Sequence, residues 1–410
     1  MISDASSHDV YTLRWGILAC GWISRMFVTD LLSDPSTREV NDVKHSIYAV
    51  ASRDIKKVQP FLDQCWEEAK AQEGKDEVKQ YGSYDELCAD KNIDCIYIGT
   101  PHSHHFQNAY AALSAGKNVL CEKPFTINAA QSQILVDLAR SKKLFLMEAV
   151  WTRFQPVSLK LQSLISSSVI GPIQTVQAEL NVNFAPMAPI DPEHRIFNPV
   201  LGGGALLDLG PYPWTQLALA MLPLGPQPKN LQDPLEMLDV QSNMIKLPAT
   251  GVDGTVVAAI QFPVVDEKAQ GGQRKVMGVL MTSQTSQTAP SRCNLIQGTK
   301  GFIQVNGPAY RPTSLTYSAW ATEQAYANSG NSPINPSKIE TFEFEPRPGN
   351  ILGYAWQADE VARCLRDGKT ESERMPLRDT VLMMKVFDKV REQGAFGYPE
   401  ELETTEIRGQ

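Results

Sequence analysis

The sequence predicts an α/β protein in two parts. Residues 1–150 read as a doubly wound parallel sheet with helices on both faces, and residues 151–410 as an α+β region built on a large, mostly antiparallel open sheet. Three observations carry this. The first third alternates short, nearly continuous apolar runs with helical patterns, as strands buried on both faces require. From Ile173 onward strand patterns follow one another with few helices between them. The chain also has 410 residues, 42% of them hydrophobic, enough for two ordinary cores.

In order, Leu13–Leu18 reads as a strand and Ile23–Leu32 as a helix, then Ser46–Ala51 as a strand and Ile55–Gln72 as a charged helix. A hydrophilic insertion (Glu73–Gln80) precedes a short helix around Tyr84–Cys88. Cys95–Gly99, Asn118–Cys121 and Leu144–Glu148 are strands, separated by helices at Phe106–Ala115 and Ala129–Ser141. After a helix at Pro156–Ser167, Ile173–Phe184 alternates with the two-residue period of a half-exposed strand. Further strands are expected at 252–262, 276–283, 292–296, 302–305, 315–320 and 338–344, with one helix over Ala205–Met221. Tyr354–Arg366 and Leu377–Glu392 close the chain as helices that can pack back on the first part. Leu222–Pro234 and Gln287–Pro290 read as surface loops.

A net charge of −8 speaks against nucleic acid and anionic membrane surfaces as partners. No apolar run is long enough to span a bilayer. The polar start, Met1–Tyr11, is not a secretory signal. Seven cysteines, an odd number without a Cys-x-x-Cys, fit a reducing compartment, so a cytoplasmic protein is expected.

The first strand runs into Ala19-Cys20-Gly21-Trp22-Ile23-Ser24. A dinucleotide fingerprint would carry glycine at 19, 21 and 24; only Gly21 is present, with small replacements at the other two. The following helix offers free N–H groups to phosphate. The second strand ends in Ala51-Ser52-Arg53, where an NAD enzyme usually has an acid for the ribose 2′-hydroxyl. A hydroxyl and a guanidinium there favour a 2′-phosphate, hence NADP, unless Asp54 does the acid's work one place later. Thr100-Pro101-His102-Ser103-His104-His105 follows the next sheet strand at the ligand-binding edge. Its histidines lack a carboxylate or cysteine at ligand spacing, so Thr100, Pro101, His102 and His105 are taken as cofactor-edge residues and no metal is expected.

The next strand ends in Cys121-Glu122-Lys123-Pro124. Together with the Gly16–Ser24 turn, Tyr81–Leu87, the Thr100-Pro101 loop, Gly202–Tyr212 and Gly298-Thr299-Lys300-Gly301, it resembles the Gfo/Idh/MocA oxidoreductases over nearly the whole chain. Glu148–Phe154 and Gly202–Pro213 are most similar to the branch of dimeric dihydrodiol dehydrogenases and NADP-dependent D-xylose 1-dehydrogenases. Many relatives have histidine where Tyr212 stands, which puts a histidine mechanism in doubt here. The resemblance implies a Rossmann domain holding NADP, with Glu122 and Lys123 at its edge. It also implies a homodimer formed through the second domain's sheet.

Oxidising an alcohol needs a base for the hydroxyl proton. A phenol of pKa ~10 is poor at this near neutrality, so Tyr212 is expected to act with Lys123, whose ammonium favours the phenolate. Asp208 precedes Tyr212 by four residues, on one face of the expected helix. It would bind a substrate hydroxyl or orient Lys123, or else satisfy free N–H groups at the helix entry. Trp151, Arg153 and Phe154 would offer a small polyhydroxylated substrate an aromatic face and a polar edge, or simply pack the junction. Arg195 and His194 are further pocket candidates. The leading expectation is oxidation of D-xylose or a similar aldopyranose at C1 to the lactone, with NADP reduced. trans-Dihydrodiol oxidation is the second enzymatic reading. A non-catalytic NADP-binding sensor is the rival from another class, against which the retention of Lys123 and Tyr212 speaks.

Overall fold

The computed structural model describes residues 10–184, 190–222, 238–265, 272–320 and 336–407. Residues 1–9 of the polar start and 223–234 of the expected Leu222–Pro234 loop lie outside them.

The first sheet has six parallel strands in the order β3-β2-β1-β4-β5-β6. They are β1 (Tyr11–Leu18), β2 (Val43–Ala51), β3 (Lys79–Tyr81), β4 (Cys95–Ile98), β5 (Asn118–Glu122) and β6 (Leu146–Ala149). Every residue of β4 and β6 is buried, which is why β4 runs apolar without alternation and β6 does so apart from Glu148. The crossovers are α1 (Trp22–Leu31), α2 (Val58–Ala69), α3 (Tyr84–Ala89), α4 (His105–Ser114) and α5 (Ala129–Lys142). Strand order reverses between β1 and β4, so a crevice opens beyond their carboxyl ends. The stretch read as a hydrophilic insertion supplies part of β3, whose side chains gave no apolar signal because it is a short edge strand.

The chain then passes through a 3₁₀ turn (Trp151–Phe154) and α6 (Pro156–Ser166) to β7 (Ile173–Asn181). The single helix expected over Ala205–Met221 is two, α7 (Ala205–Asp208) and α8 (Pro211–Met221). They are followed by β8 (Asp239–Lys246), β9 (Asp253–Val265), β10 (Gln273–Ser283), β11 (Asn294–Gly298), β12 (Gly301–Val305), β13 (Ser314–Trp320) and β14 (Pro336–Glu343). These form an eight-stranded sheet in the order β14-β13-β12-β11-β7-β10-β9-β8. β7 and β10 run parallel and the other neighbours antiparallel. One face packs Ile260, Phe262, Leu280 and Ile296 against Trp214 and Leu217 of α8. The other leaves Val257, Met277, Ile245 and Ile339 exposed.

Two C-terminal helices, α9 (Tyr354–Arg366) and α10 (Leu377–Gln393), return to the first sheet. Ala358, Val361 and Ala362 of α9 share a core with Trp15, Phe27 and Tyr97. The buried carboxylate of Asp30 on α1 accepts the N–H groups of Leu352, Gly353 and Tyr354, each at 2.7 Å, and so caps α9. Asp359 takes two hydrogen bonds from Arg38, at 2.9 and 2.8 Å, and contacts His45 Nε2 at 2.9 Å. The Trp15 indole donates to His45 Nδ1 at 3.1 Å, which leaves Nε2 carrying the proton toward Asp359.

Candidate active site

The turn after β1 is shaped for a dinucleotide phosphate. Ala19 holds φ 90, the conformation a fingerprint glycine would adopt more cheaply. Gly21 is the N-cap of α1, with no side-chain cap and no acid in the first turn, so the leading N–H groups are free for an anion. A Cβ on Gly21 would meet only the Gly99 carbonyl, at 3.7 Å, so the folded chain itself does not need glycine there. At the third fingerprint position Ser24 is buried, and a Cβ on Gly99 would run into its hydroxyl, so the glycine has moved to the facing loop. Trp22 is 61% exposed beside this turn, and Ile23 is half-buried.

Beyond the second strand Ser52 is buried and Arg53 exposed. Arg53 interacts with the Tyr84 phenol and lines a cleft of about 400 Å³ with Ser83, Tyr84 and Asn108. Asp54 spends its carboxylate on the N–H of Lys56, at 3.1 Å, capping the turn that follows. Pro101 is exposed, while Thr100 is buried and accepts a hydrogen bond from Asn108 at 3.1 Å. His105 is wholly buried, with Nδ1 2.8 Å from the Pro124 carbonyl and Nε2 2.8 Å from the Thr100 carbonyl. It therefore lies between two loops of the crevice, able when neutral to donate to one carbonyl or the other, and presents no atom to the crevice. Burial pushes its pKa down to about 4.

At the end of β5, Glu122 is buried, accepts from the Tyr97 hydroxyl at 2.8 Å, and is pushed up to about 7 by burial. The peptide between Lys123 and Pro124 is cis. Lys123 Nζ lies 2.7 Å from the main-chain carbonyl of Asp208, 3.5 Å from its Oδ1, and 4.9 Å from the centre of the Tyr212 ring. Arg195 reaches the same Oδ1 at 3.2 Å. His102 Nδ1 faces the Gly202 carbonyl at 3.1 Å and must donate to it, which leaves Nε2 unprotonated 3.8 Å from Oδ1. Burial takes His102 down to about 3, so that contact is not an ion pair. Burial also opposes the charge on Asp208, but Lys123, then Arg195, outweigh it and hold the carboxyl below its ordinary range. In Lys123 burial is likewise outweighed, by Tyr212 and Asp208, and the ammonium is strengthened.

For Tyr212 the balance falls the other way. Burial raises the phenol above 10.0; Lys123 and a hydrogen bond with the Trp151 side chain lower it, but not by enough. The ammonium thus acts in the direction expected from the sequence without winning. Asp208 and Tyr212 also do not share a helix, because the chain turns at Leu209–Gly210 between α7 and α8. Nor does Asp208 serve a helix entry. Asp253, from the second sheet, accepts the Leu206 N–H of α7.

Of the aromatic and cationic trio after β6, Arg153 turns away from the crevice. Its guanidinium pairs with Asp379 at 2.9 Å and donates to the Arg374 carbonyl at 3.0 Å, pinning α10. Phe154 belongs to the buried core, and Trp151, also buried, stacks on Tyr354 with centroids 4.1 Å apart. Both were drawn inward by neighbours from the C-terminal half that local sequence does not show. Trp151 nonetheless reaches the site through its hydrogen bond with the Tyr212 phenol, and the half-buried Tyr310 stands beside both rings, 5.7 Å from Tyr212. The Tyr310 loop is held by Thr152 and Gln216, at 2.7 and 3.3 Å. Nothing in the spacing of Tyr310 marks it beforehand.

Residues 13–150 match the family described as "Oxidoreductase family, NAD-binding Rossmann fold", and residues 158–304 match the GFO/IDH/MocA C-terminal domain. The chain is 40% identical to a D-xylose 1-dehydrogenase (NADP(+)) of Hypocrea jecorina, over 98% of this chain and 97% of that protein. It is 32% identical to the trans-1,2-dihydrobenzene-1,2-diol dehydrogenase of Bos taurus, over 95% and 99%. Among solved structures, a levoglucosan dehydrogenase in complex with NADH and levoglucosan shares the fold at a TM-score of 0.72 and 16% identity, over 94% of this chain and 97% of that one. A 3-ketoreductase from Actinomadura kijaniata, solved with NADP, does so at 0.65 and 18%, over 93% and 98%. The chain belongs to the Gfo/Idh/MocA family of oxidoreductases.

Proposed function

We propose that this oxidoreductase uses NADP to oxidise D-xylose or a similar aldopyranose at C1, giving the lactone. The observation that carries the reading is the convergence of Lys123, Asp208 and Tyr212 beside the nucleotide crevice. The 40% identity to an NADP-dependent xylose dehydrogenase supports it. When bound, NADP supplies the hydride acceptor. Gly21, Trp22 and Ile23, with the N-terminus of α1, hold its pyrophosphate. Ser52 and Arg53 take the 2′-phosphate, since Asp54 is already engaged.

Tyr212 accepts the proton of the substrate hydroxyl. The Lys123 ammonium favours the phenolate form that accepts this proton, leaving the neutral phenol, and donates to the reacting oxygen. Asp208, kept ionised by its cationic neighbours, receives a second hydroxyl. Tyr310 presents a ring face for the pyranose to lie on, and Arg195, its side chain 47% exposed, stands at the rim. The 32% identity to dihydrodiol dehydrogenases favours trans-dihydrodiol oxidation by the same residues as the second reading. A homodimer through the outward sheet face completes the proposal, supported by the exposed Val257 and Met277 there.

The test is a panel of D-xylose, D-glucose and a trans-dihydrodiol, each with NADP and with NAD, followed by nicotinamide absorbance as kcat/KM. Turnover of xylose with NADP supports the first reading, and turnover of the dihydrodiol alone moves the assignment to the second. Turnover of none removes both. In parallel, Arg53→Asp is expected to weaken NADP binding at least ~10-fold, the loss of a charge-assisted hydrogen bond. NAD should be affected less than about twofold, and equal effects would remove Arg53 from the 2′-phosphate.

A further inference from the structure

We propose that Asp253, which does not reach the crevice, positions Lys123 by capping the short helix whose last residue offers its main-chain carbonyl to the ammonium. The inference rests on the role given above to Lys123 and extends it to a residue in the far sheet.

Lys123 Nζ is closer to the Asp208 carbonyl, at 2.7 Å, than to the Asp208 carboxylate, at 3.5 Å. The ammonium is therefore held chiefly by a main-chain atom, and its place depends on how that backbone is fixed. α7 has only four residues, too few to hold itself. Its free N–H groups would be orphaned in a buried place, because Ala205 to Asp208 are all buried. Asp253 supplies the acceptor: Oδ2 takes the Leu206 N–H at 2.5 Å from the first residue of β9, with no exposure of its own.

The three glycines before α7 make this approach possible. A Cβ on Gly204, at φ +124, would strike the Asp253 carboxylate. One on Gly203 would press on the backbone of Arg195, Ile196 and Asn198, and one on Gly202 on Ile127 and His102. The Tyr398 hydroxyl fastens the same entry from another side, donating to the Gly203 carbonyl at 2.7 Å. Sheet, C-terminal segment and nucleotide-binding half thus meet on one tripeptide. The backbone it launches ends in the carbonyl that holds Lys123.

The experiment compares Asp253→Ala, which removes the cap, with Asp253→Asn, which keeps a carbonyl oxygen in its place. For Asp253→Ala, kcat on whichever substrate the panel identifies should fall about 10- to 100-fold, as expected when a catalytic group moves by ~1 Å. NADP affinity should stay within about twofold. The ascending limb of the kcat–pH profile for oxidation should move to higher pH, since the phenol loses the ammonium that lowers it. Asp253→Asn should restore most of the rate and the profile. If Asp253→Ala does not fold, Tyr398→Phe, which removes one hydroxyl from the same clamp, should shift the profile in the same direction.

Substrate-independent evidence comes from peptide mapping of Lys123 after graded trinitrobenzenesulfonate labelling of the folded protein. Faster labelling of Lys123 in Asp253→Ala supports the inference even if the panel finds no substrate, the result that would remove the functional reading alone. The inference is overturned if the alanine variant loses only Tm while kcat, pH profile and Lys123 labelling match the unaltered protein. Equal losses in Asn and Ala would also overturn it.

Discussion

The phenol of Tyr212 and the ammonium of Lys123 face each other across the join between the two halves, and their electrostatics set how the protein should respond to pH. Burial raises Tyr212, so at neutrality it is protonated and only a small fraction can accept a proton. Oxidation should therefore quicken as pH rises toward the phenol's pKa, while the reverse reduction, which needs the phenol as acid, should hold its rate at neutral pH. Lys123→Met removes the charge that lowers the phenol and should push this rise to higher pH still. Tyr212→Phe should reduce kcat about 100- to 10,000-fold with NADP affinity unchanged, as read by kinetics and by titration of protein fluorescence. A variant that keeps its rate would end the assignment of Tyr212 as base. Lys123 could be singled out from sequence because it directly follows a buried strand, in a short tripeptide that gains meaning only from its order and spacing with the other motifs. The partners of Trp151, Arg153 and Phe154 were not, because Tyr354, Tyr310 and Asp379 lie more than a hundred residues downstream.

At the scale of elements, the nucleotide turn carries a signature that no internal contact requires. Gly21→Ala should fold with nearly unchanged Tm, because its Cβ would make only an ordinary contact with the Gly99 carbonyl, at 3.7 Å. It should nonetheless weaken NADP by an order of magnitude or more, the cost of obstructing backbone approach to a pyrophosphate (about ten-fold for each 1.4 kcal/mol). Thermal melts beside a binding titration test both halves; a matching loss in each would mean that the glycine serves packing. Alternating α and β segments and the serial strands were plain in the sequence, since burial on two faces or one imprints a different period. Two strands escaped. β3 exposes its side chains, and β8 is mostly polar, burying Val240 almost alone. The break between α7 and α8 was also hidden. It falls at Gly210-Pro211, where a Cβ on Gly210 would hit the Leu206 carbonyl and Pro211 opens the next helix, a local signal overridden by the apolar pattern running through it.

Across the whole molecule, the eight-stranded sheet leaves one face to solvent. Val257, Met277 and the half-exposed Val279 and Met281 line its centre. Met277→Asp should shift sedimentation from dimer to monomer with little change in Tm; a protein monomeric before the change would remove the dimer from the proposal. The first sheet has the opposite problem, because part of its cover comes from the far end of the chain. A fragment ending at residue 150 would bare Trp15, Val43 and Ile47 where α9 should lie, and would leave Asp30 and Arg38 without their buried partners. It should be poorly soluble, and adding 351–407 as a separate peptide should recover it. During synthesis the nucleotide half, although made first, must wait for α9 to leave the ribosome. Until then a nascent chain more than three hundred residues long carries an unsealed apolar seam, and a stop codon that removes only the last sixty residues would unfold the beginning of the protein.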